Sequence, residues 1–278
     1  MWKAALKGLI AHKLRVGLTA LAIVLGVSFI ASTYVLTDTL NRAFDELFGD
    51  ITSGVDLYVR ANDDSRADID EKKTIPENLL ERVRAVEGVA RADGGVEGFA
   101  QMIDKDGEAI TPVGPPTIGL SWSDNPNGIL SIREGGPPRG PDEVVIDSGT
   151  AETYGFRPGD TIKIVLLGPA QEFTISGTAG FGEGGDFGGA TLAAFDLPTA
   201  QEVLGKNGRL DAIQVVAEEG ISARVLQDQI TPLLPRGIEA VTGADVADEQ
   251  TDQVREGLGF LNTALLVFAG VALFVGTF

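Results

Sequence analysis

Cysteine is absent from the sequence, and histidine occurs once, as His12. Without cysteine, the chain can form neither a disulfide framework nor a thiolate metal site. Because His12 lies in the basic N-terminal segment, the Ser-His-Asp triad and the usual zinc sites are excluded from the rest of the chain. The phosphate-binding pattern GxxxxGK[ST] is also missing, so the chain is not expected to be a P-loop NTPase.

Long stretches without charge, in contrast, lie near both ends. Residues 16–36 and 257–278 contain no Asp, Glu, Lys or Arg. A helix of about 20 apolar residues spans the roughly 30 Å hydrocarbon core of a bilayer. We therefore expect transmembrane helix 1 over 16–36 and transmembrane helix 2 over 257–278, the second truncated because no polar anchor follows it. A cleaved signal peptide is the alternative for 16–36, but that run is longer than the usual apolar region of such peptides.

Charge is distributed unevenly. Residues 1–15 hold four of the 22 Lys and Arg and none of the 40 acids, so the remainder carries a net 18 − 40 = −22. The positive-inside rule then predicts a multi-pass protein of the plasma membrane with a cytoplasmic N-terminus and a large extracytoplasmic segment. An acidic exterior is not expected to bind nucleic acid, whose phosphates require clustered Lys or Arg. No cofactor is indicated.

Residues 1–15 form a cytoplasmic amphipathic basic leader, with apolar residues at helical spacing between the cations. Its cations are candidates for contact with lipid headgroups or with a cytoplasmic partner: Lys3, Lys7, Lys13 and Arg15. Within 16–36, small residues four apart predict close packing of another helix. These candidate packing pairs are Ala22 with Gly26 and Ser28 with Ser32.

Helical periodicity continues beyond the apolar runs, but charged residues now accompany it. An apolar stripe over 37–50 includes Leu40, Phe44 and Leu47, and it predicts a helical stalk that leaves the membrane. Residues 246–256 predict a matching stalk that returns to it. Two such stalks would tie the external domain to both transmembrane helices.

Between the stalks, residues 55–95 and 191–245 favour an α/β part. Strands are predicted at 55–59, 191–195, 212–217 and 238–241, and helices are predicted to begin at Pro76, Pro198 and Ser222. This alternation is typical of a sheet with helices on one face. The same sheet could include both segments, which would make the residues between them an insertion.

Residues from about 96 to 190 carry short alternating runs separated by Gly and Pro, and they predict a β-rich subdomain. Asp106-Gly107 predicts a hairpin between 100–103 and 109–113. Further along we expect strands at 143–146, 161–167 and 172–178 and a short helix that ends at Gly155. The literal GxGxxG at 180–185 has no helix after it to bind a pyrophosphate, so it is interpreted as a glycine loop.

The acids define neither a metal site nor a catalytic pair. The loop 61–73 is rich in aspartate, but it lacks the spacing and the glycine of an EF-hand. With 40 acids, chance carboxylate pairs are unavoidable, and no spacing singles out a general acid and base. A membrane-tethered hydrolase stays open as a third hypothesis, with no catalytic residue assigned.

Taken in order, these features resemble the FtsX-like and MacB-type permease subunits of ABC transporters. The opening ALKGLIAHKLRVGLTALAIVLGVSFI looks like the beginning of that family. The passages GPDEVVIDSGTAETYGFRPGDTIKI and GGATLAAFDLPTAQEVLG are similar to stretches of its extracytoplasmic core domain. The resemblance covers essentially the whole chain.

This resemblance implies an α+β membrane protein in which transmembrane helices flank an extracytoplasmic MacB-type core domain, residues 37–256. That domain would consist of a porter-like α/β part and an inserted small β-rich subdomain. Members of the family continue with further membrane helices, so we expect this chain to be part of a longer permease.

The implied function is mechanical and non-enzymatic. A separate cytoplasmic ABC ATPase would hydrolyse ATP, and the permease, paired as a dimer or with a second permease half in the lipid bilayer, would export or extract a substrate or signal across the membrane. The alternative is a membrane-anchored receptor or scaffold that binds an extracellular ligand or cell-wall partner without transport.

Overall fold

Strands contribute more residues than helices to the part of the chain that the computed structural model describes. The described residues are 54–62, 73–111, 117–125, 128, 130–181 and 190–253, with single positions or short runs within 24–42 and 255–267. The chain divides into two compact units, one of residues 1–48 and 248–278 and the other of residues 49–247.

A four-stranded antiparallel sheet lies in the unit 49–247. Its order is β14-β1-β13-β3, with β1 Leu57–Ala61, β3 Val89–Gly95, β13 Ala212–Ala217 and β14 Ile238–Thr242. Alternate residues of β1 are buried, as a strand with one covered face requires. Helix α1 (Leu79–Arg84) packs against β3, and α4 (Ala223–Ile230) packs against β14 and β1. A short 3₁₀ turn, Thr231–Leu233, follows α4.

In a second, larger sheet, the two strands at the ends of the strand order are adjacent in the sequence. Its order is β4-β6-β11-β8-β10-β9-β5, and β7 pairs with β10. Only Ala100 separates β4 from β5 in the chain, so the first and last strands of the order are consecutive. We call this the closed sheet, and its strands are β4 Glu97–Phe99, β5 Gln101–Ile103, β6 Thr117–Ser121, β7 Leu130–Gly135, β8 Glu143–Asp147, β9 Thr161–Val165, β10 Gln171–Phe181 and β11 Thr191–Phe195.

Two short helices pack on the closed sheet, and local sequence fixes their ends. Helix α2 (Ser148–Tyr154) is capped by the Asp147 side chain and ends at Gly155, whose φ of 68° is left-handed. This confirms the predicted helix end at Gly155. Helix α3 (Leu197–Val203) is capped by the Asp196 side chain. The buried rings of Phe173 on β10 and Phe195 on β11 meet edge to face with centroids 5.0 Å apart.

The chain passes between the two sheets twice. It leaves the four-stranded sheet at Gly95 and enters the closed sheet at Glu97, and it returns from Phe195 through α3 and the strand β12 (Arg209–Leu210) to β13. All strands of the closed sheet therefore lie between β3 and β13 in sequence. The predicted strand 191–195 forms, but it pairs with β6 and β8 of the closed sheet, so the expected boundary at residue 191 moves beyond Phe195.

Two local predictions differ from the structure. Pro76 does not begin a helix: it ends the two-residue strand β2 (Ile75–Pro76), which pairs with β12, and α1 begins three residues later. Pairing with a strand distant in sequence outweighs the helix-start signal of the proline. The predicted hairpin turn forms, with an antiparallel bridge between Ile103 and Ala109 and a hydrogen bond from the Ile110 N–H to the Met102 carbonyl at 2.9 Å, but 109–111 do not form a strand, and 112–113 lie outside the described residues.

The other unit contains the predicted leader, both transmembrane runs and most of both stalks. Its described positions are helical, for example 31–35 and 248–253, and Arg42 and Asp38 form an ion pair of 2.8 Å one turn apart. Over the described residues, no helix has both the length and the apolar character needed to cross a membrane. Most of residues 1–53 and 254–278 lie outside the described part, so the boundaries given above for these segments stay predictions.

Candidate functional site

The chain enters and leaves the unit 49–247 at one place, which we call the attachment site: Asp56, Leu57, Thr242 and Gly243. Strands β1 and β14 are antiparallel neighbours, and Leu57 lies opposite Thr242 at the end where both connect to the flanking segments. The Gly243 N–H donates to the Asp56 carbonyl oxygen at 2.9 Å. The residue before β1 and the residue after β14 are therefore hydrogen-bonded to each other.

Asp56 also ties the attachment site to the next strand. Its backbone N–H donates to the Val215 carbonyl at 2.9 Å, and its carboxylate accepts from the Ala217 N–H at 2.8 Å. On the other side, the Thr242 hydroxyl accepts from the Asp245 N–H at 3.1 Å and begins the helical residues that follow β14. One aspartate thus links β1, β13 and the residue after β14.

The face of the four-stranded sheet opposite its helices carries polar cross-strand pairs. Arg60 Nε lies 3.0 Å from Glu239 Oε1, and these residues are directly opposite each other on β1 and β14. Between Arg60 and the attachment site lies Tyr58, and burial raises its pKa to about 12. The pair and the half-buried phenol add side-chain contacts to the β1–β14 ladder beside the attachment site.

A groove of about 420 Å³ lies elsewhere, between α3, the β9–β10 turn and the start of β8. Its lining combines two carboxylates, an amide and apolar surface: Pro141, Asp142, Leu167, Gly168, Gln171, Thr199, Glu202 and Val203. The Leu167 side chain is 70% exposed at its rim. Its volume lies in the range of ligand-binding clefts, but none of the described residues form a group of His, Cys, Asp and Glu able to hold a metal ion.

Most of the predicted site residues lie outside the part of the chain that the structure describes. The leader cations Lys3, Lys7, Lys13 and Arg15 and the packing residues Ala22 and Gly26 lie outside the described residues. Ser28 and Ser32 are helical and exposed. Whether these residues contact a partner or another helix stays a prediction.

Sequence reasoning missed the attachment site. The alternation of Val55, Leu57 and Val59 predicted a strand, but Asp56 looked like one of its solvent-facing residues. The only local signal is an aspartate directly before a buried strand. Its partners are 159 to 187 positions away in the chain and cannot be identified from local pattern.

Comparisons with known proteins agree with this fold. The sequence model of the MacB-like periplasmic core domain matches residues 16–233. An uncharacterised ABC transporter permease protein of Mycobacterium tuberculosis is 28% identical over 139 residues, which is 50% of this chain and 15% of that protein. The chain therefore spans a small part of this relative.

A matching solved structure is similar in fold at low sequence identity. The periplasmic region of MacB from Actinobacillus actinomycetemcomitans gives a TM-score of 0.54 at 11% identity, covering 72% of this chain and 95% of that one. The extracellular domain of the noncanonic ABC-type transporter YknZ from Gram-positive bacteria gives 0.49 at 11% identity, covering 66% and 98%. The α+β class expected from the sequence is confirmed for the unit 49–247. Because the family match extends over more than half of its length, the chain belongs to the MacB-like periplasmic core domain family.

Proposed function

We propose that this chain is the core-domain part of an ABC transporter permease that couples ATP hydrolysis by a separate cytoplasmic ATPase to movement outside the membrane. That movement exports or extracts a substrate or signals mechanically to an external partner. The observation that carries the proposal is the attachment site, where Gly243 donates to Asp56 at 2.9 Å. Both flanking segments join neighbouring strands of one sheet.

This arrangement suits transmission of movement. Displacement of either flank acts first on the antiparallel β1–β14 ladder, in which five residues of each strand are paired. A hydrogen-bonded sheet resists bending better than a loop does, because a loop has few buried contacts. Force applied to both flanks together would therefore displace the four-stranded sheet as a whole.

Exposure in the other unit supports a membrane setting for the flanks. Val24, Val27 and Val35 are helical and 58–67% exposed, as is Val267 at 62%. Large apolar side chains exposed on a helix are unfavourable in water and favourable in lipid. The leader cations Lys3, Lys7, Lys13 and Arg15 are our candidates for contact with the ATPase, and a permease dimer or second permease half would complete the assembly.

Purification of the full-length gene product from membranes in mild detergent, with mass spectrometry of what accompanies it, tests the proposal. We expect a P-loop ATPase, and we expect its recovery to fall when the four leader cations are changed to Gln. A control variant with four exposed external cations changed to Gln, at Arg139, Lys163, Arg224 and Arg236, retains it. Recovery of envelope proteins alone, even after crosslinking, contradicts the proposal and favours the receptor or scaffold.

A further inference from the structure

A largely buried ion pair lies where the chain passes between the two sheets. Lys206 Nζ is 2.8 Å from both carboxylate oxygens of Asp211, and the two side chains are only 12% and 10% exposed. Glu97 completes the group through its backbone: its carbonyl accepts from Lys206 Nζ at 2.6 Å, and its N–H donates to Asp211 Oδ2 at 2.7 Å.

These three residues belong to the two connections between the sheets. Glu97 is the first residue of the closed sheet after the outward passage, and Asp211 is the last residue before β13 on the return. The Asp211 N–H also donates to the Gly95 carbonyl at 2.8 Å. Lys206 follows α3 on the same return path. The ion pair therefore fastens the outward connection to the return connection.

We expect such a pair to determine the arrangement of the segments that it joins more than to increase the free energy of unfolding. Burial raises the pKa of Asp211, although the hydrogen bond from Lys206 opposes this effect. Buried ion pairs often add little net stability compared with apolar residues of similar volume, whereas removal of one partner leaves a buried charge and is strongly destabilising. Their directional bonds also favour one arrangement of the segments that they join.

We propose that Lys206 and Asp211 are positioning residues that hold the four-stranded sheet and the closed sheet in one fixed orientation. With both connections fastened at one point, neither can act as a hinge. The consequence, which rests on the proposed function, is that movement received at the attachment site reaches the closed sheet without bending between the sheets.

Spin labels can measure this orientation in the full chain, since the sequence has no cysteine to interfere. One label replaces exposed Glu152 on α2 and the other replaces exposed Gln229 on α4. We expect one narrow distance distribution in the parent and a broadened one in K206M/D211L, whose urea midpoint stays near that of the parent. The conservative K206R keeps the narrow distribution. As a control, R60Q/E239Q removes an ion pair within one sheet and leaves the distribution narrow.

A narrow distribution in folded K206M/D211L overturns the proposal. If that variant does not fold, hydrogen exchange of the unmodified chain tests the proposal instead. The proposal then requires the Glu97 amide to exchange as slowly as the amides of β8, whereas faster exchange by roughly 10-fold or more would mean that the connection opens locally. Neither measurement depends on transport, so failure here is distinct from failure of the proposed function.

Discussion

The Asp147 carboxylate accepts a hydrogen bond from the Leu192 N–H at 2.9 Å, 45 residues away in the chain. Its other oxygen accepts from the Thr150 N–H at 2.7 Å and so caps α2. Strands β8 and β11 share only two paired positions, Ala193 with Ile146 and Ala194 with Val145. The buried aspartate therefore extends a short ladder and fixes a helix at the same time.

Replacing Asp147 by Asn is expected to destabilise the unit by about 1–3 kcal/mol, because an amide offers one acceptor oxygen where two N–H groups need partners. Urea unfolding followed by tryptophan fluorescence measures the change. Asp104 provides a matched control, since its Oδ1 accepts from the Asp106 and Glu108 N–H groups in an exposed turn. Asp104→Asn keeps one oxygen that can accept both of these bonds and is expected to have a much smaller effect, and equal losses would contradict the role assigned to the second acceptor oxygen of Asp147.

The stability difference between the parent and Asp147→Asn is expected to depend on pH. Burial raises the pKa of Asp147 in the folded state, so just above the ordinary Asp pKa of about 3.9 the folded state binds a proton more readily than the unfolded state does. The free energy of unfolding of the parent, relative to the variant, therefore rises as the pH falls through the raised pKa. Urea midpoints measured between acidic and neutral pH show this trend. A difference that is flat or falls towards acid contradicts it.

Removal of the Asp56 side chain is expected to loosen the attachment site. Asp56→Ala leaves the half-buried Ala217 N–H without its partner, at a cost of about 0.5–1.5 kcal/mol. Asp56→Asn keeps an acceptor oxygen and is expected to lose less. Hydrogen exchange at Ala217 measures the effect directly, and unchanged protection in Asp56→Ala would show that the carboxylate does not hold this strand.

A flexible Gly-Ser segment inserted after Gly49 is expected to abolish function and leave the unit 49–247 folded. The reason is that a flexible linker cannot transmit displacement from the flank to β1. The matched control is the same insertion after Gly220, in the exposed loop before α4. Activity of the complex and protease resistance of the unit are the two measurements, and retained activity after the Gly49 insertion argues against mechanical coupling.

Gly135→Ala is expected to be much more destabilising than Gly107→Ala. Both glycines have positive φ, 75° and 88°, which strains any other residue by about 1–3 kcal/mol. At Gly135, however, a Cβ atom would lie 2.2 Å from the Ser176 carbonyl oxygen, whereas at Gly107 it would meet nothing within 4 Å. Because both variants carry the strain of positive φ, the difference between their urea midpoints reports the steric clash at Gly135. Equal midpoints would contradict the expected clash.

Local patterns predicted most elements of the unit 49–247. The alternation of apolar and polar residues predicted β1 and β13 correctly. Ser222 predicted the start of α4, where its side chain accepts a hydrogen bond from the Val225 N–H. The glycine after α2 marked its end correctly. These features depend on residues within one turn or one strand, which is the range over which sequence patterns carry information.

The features that sequence analysis missed depend on contacts between residues that are distant in the chain. Thr191–Phe195 has the same composition whether it pairs beside β6 or beside β13, and only the parallel register with Thr117–Ser121 assigns it to the closed sheet. Likewise, Lys206 and Asp211 look like two more surface charges. Their role depends on the Glu97 backbone, 109 and 114 positions away, which no local pattern can supply.

The hydrogen bond between Gly243 and Asp56 also means that the first strand of the unit 49–247 begins beside the end of its last strand. Because paired residues of neighbouring antiparallel strands lie only about 4.5–5.5 Å apart, a short turn could replace the whole unit without changing the spacing of the segments on either side. Insertions, deletions and exchange of the unit between permeases would leave those segments undisturbed. Evolution could thus have altered the external part of such proteins independently of the rest.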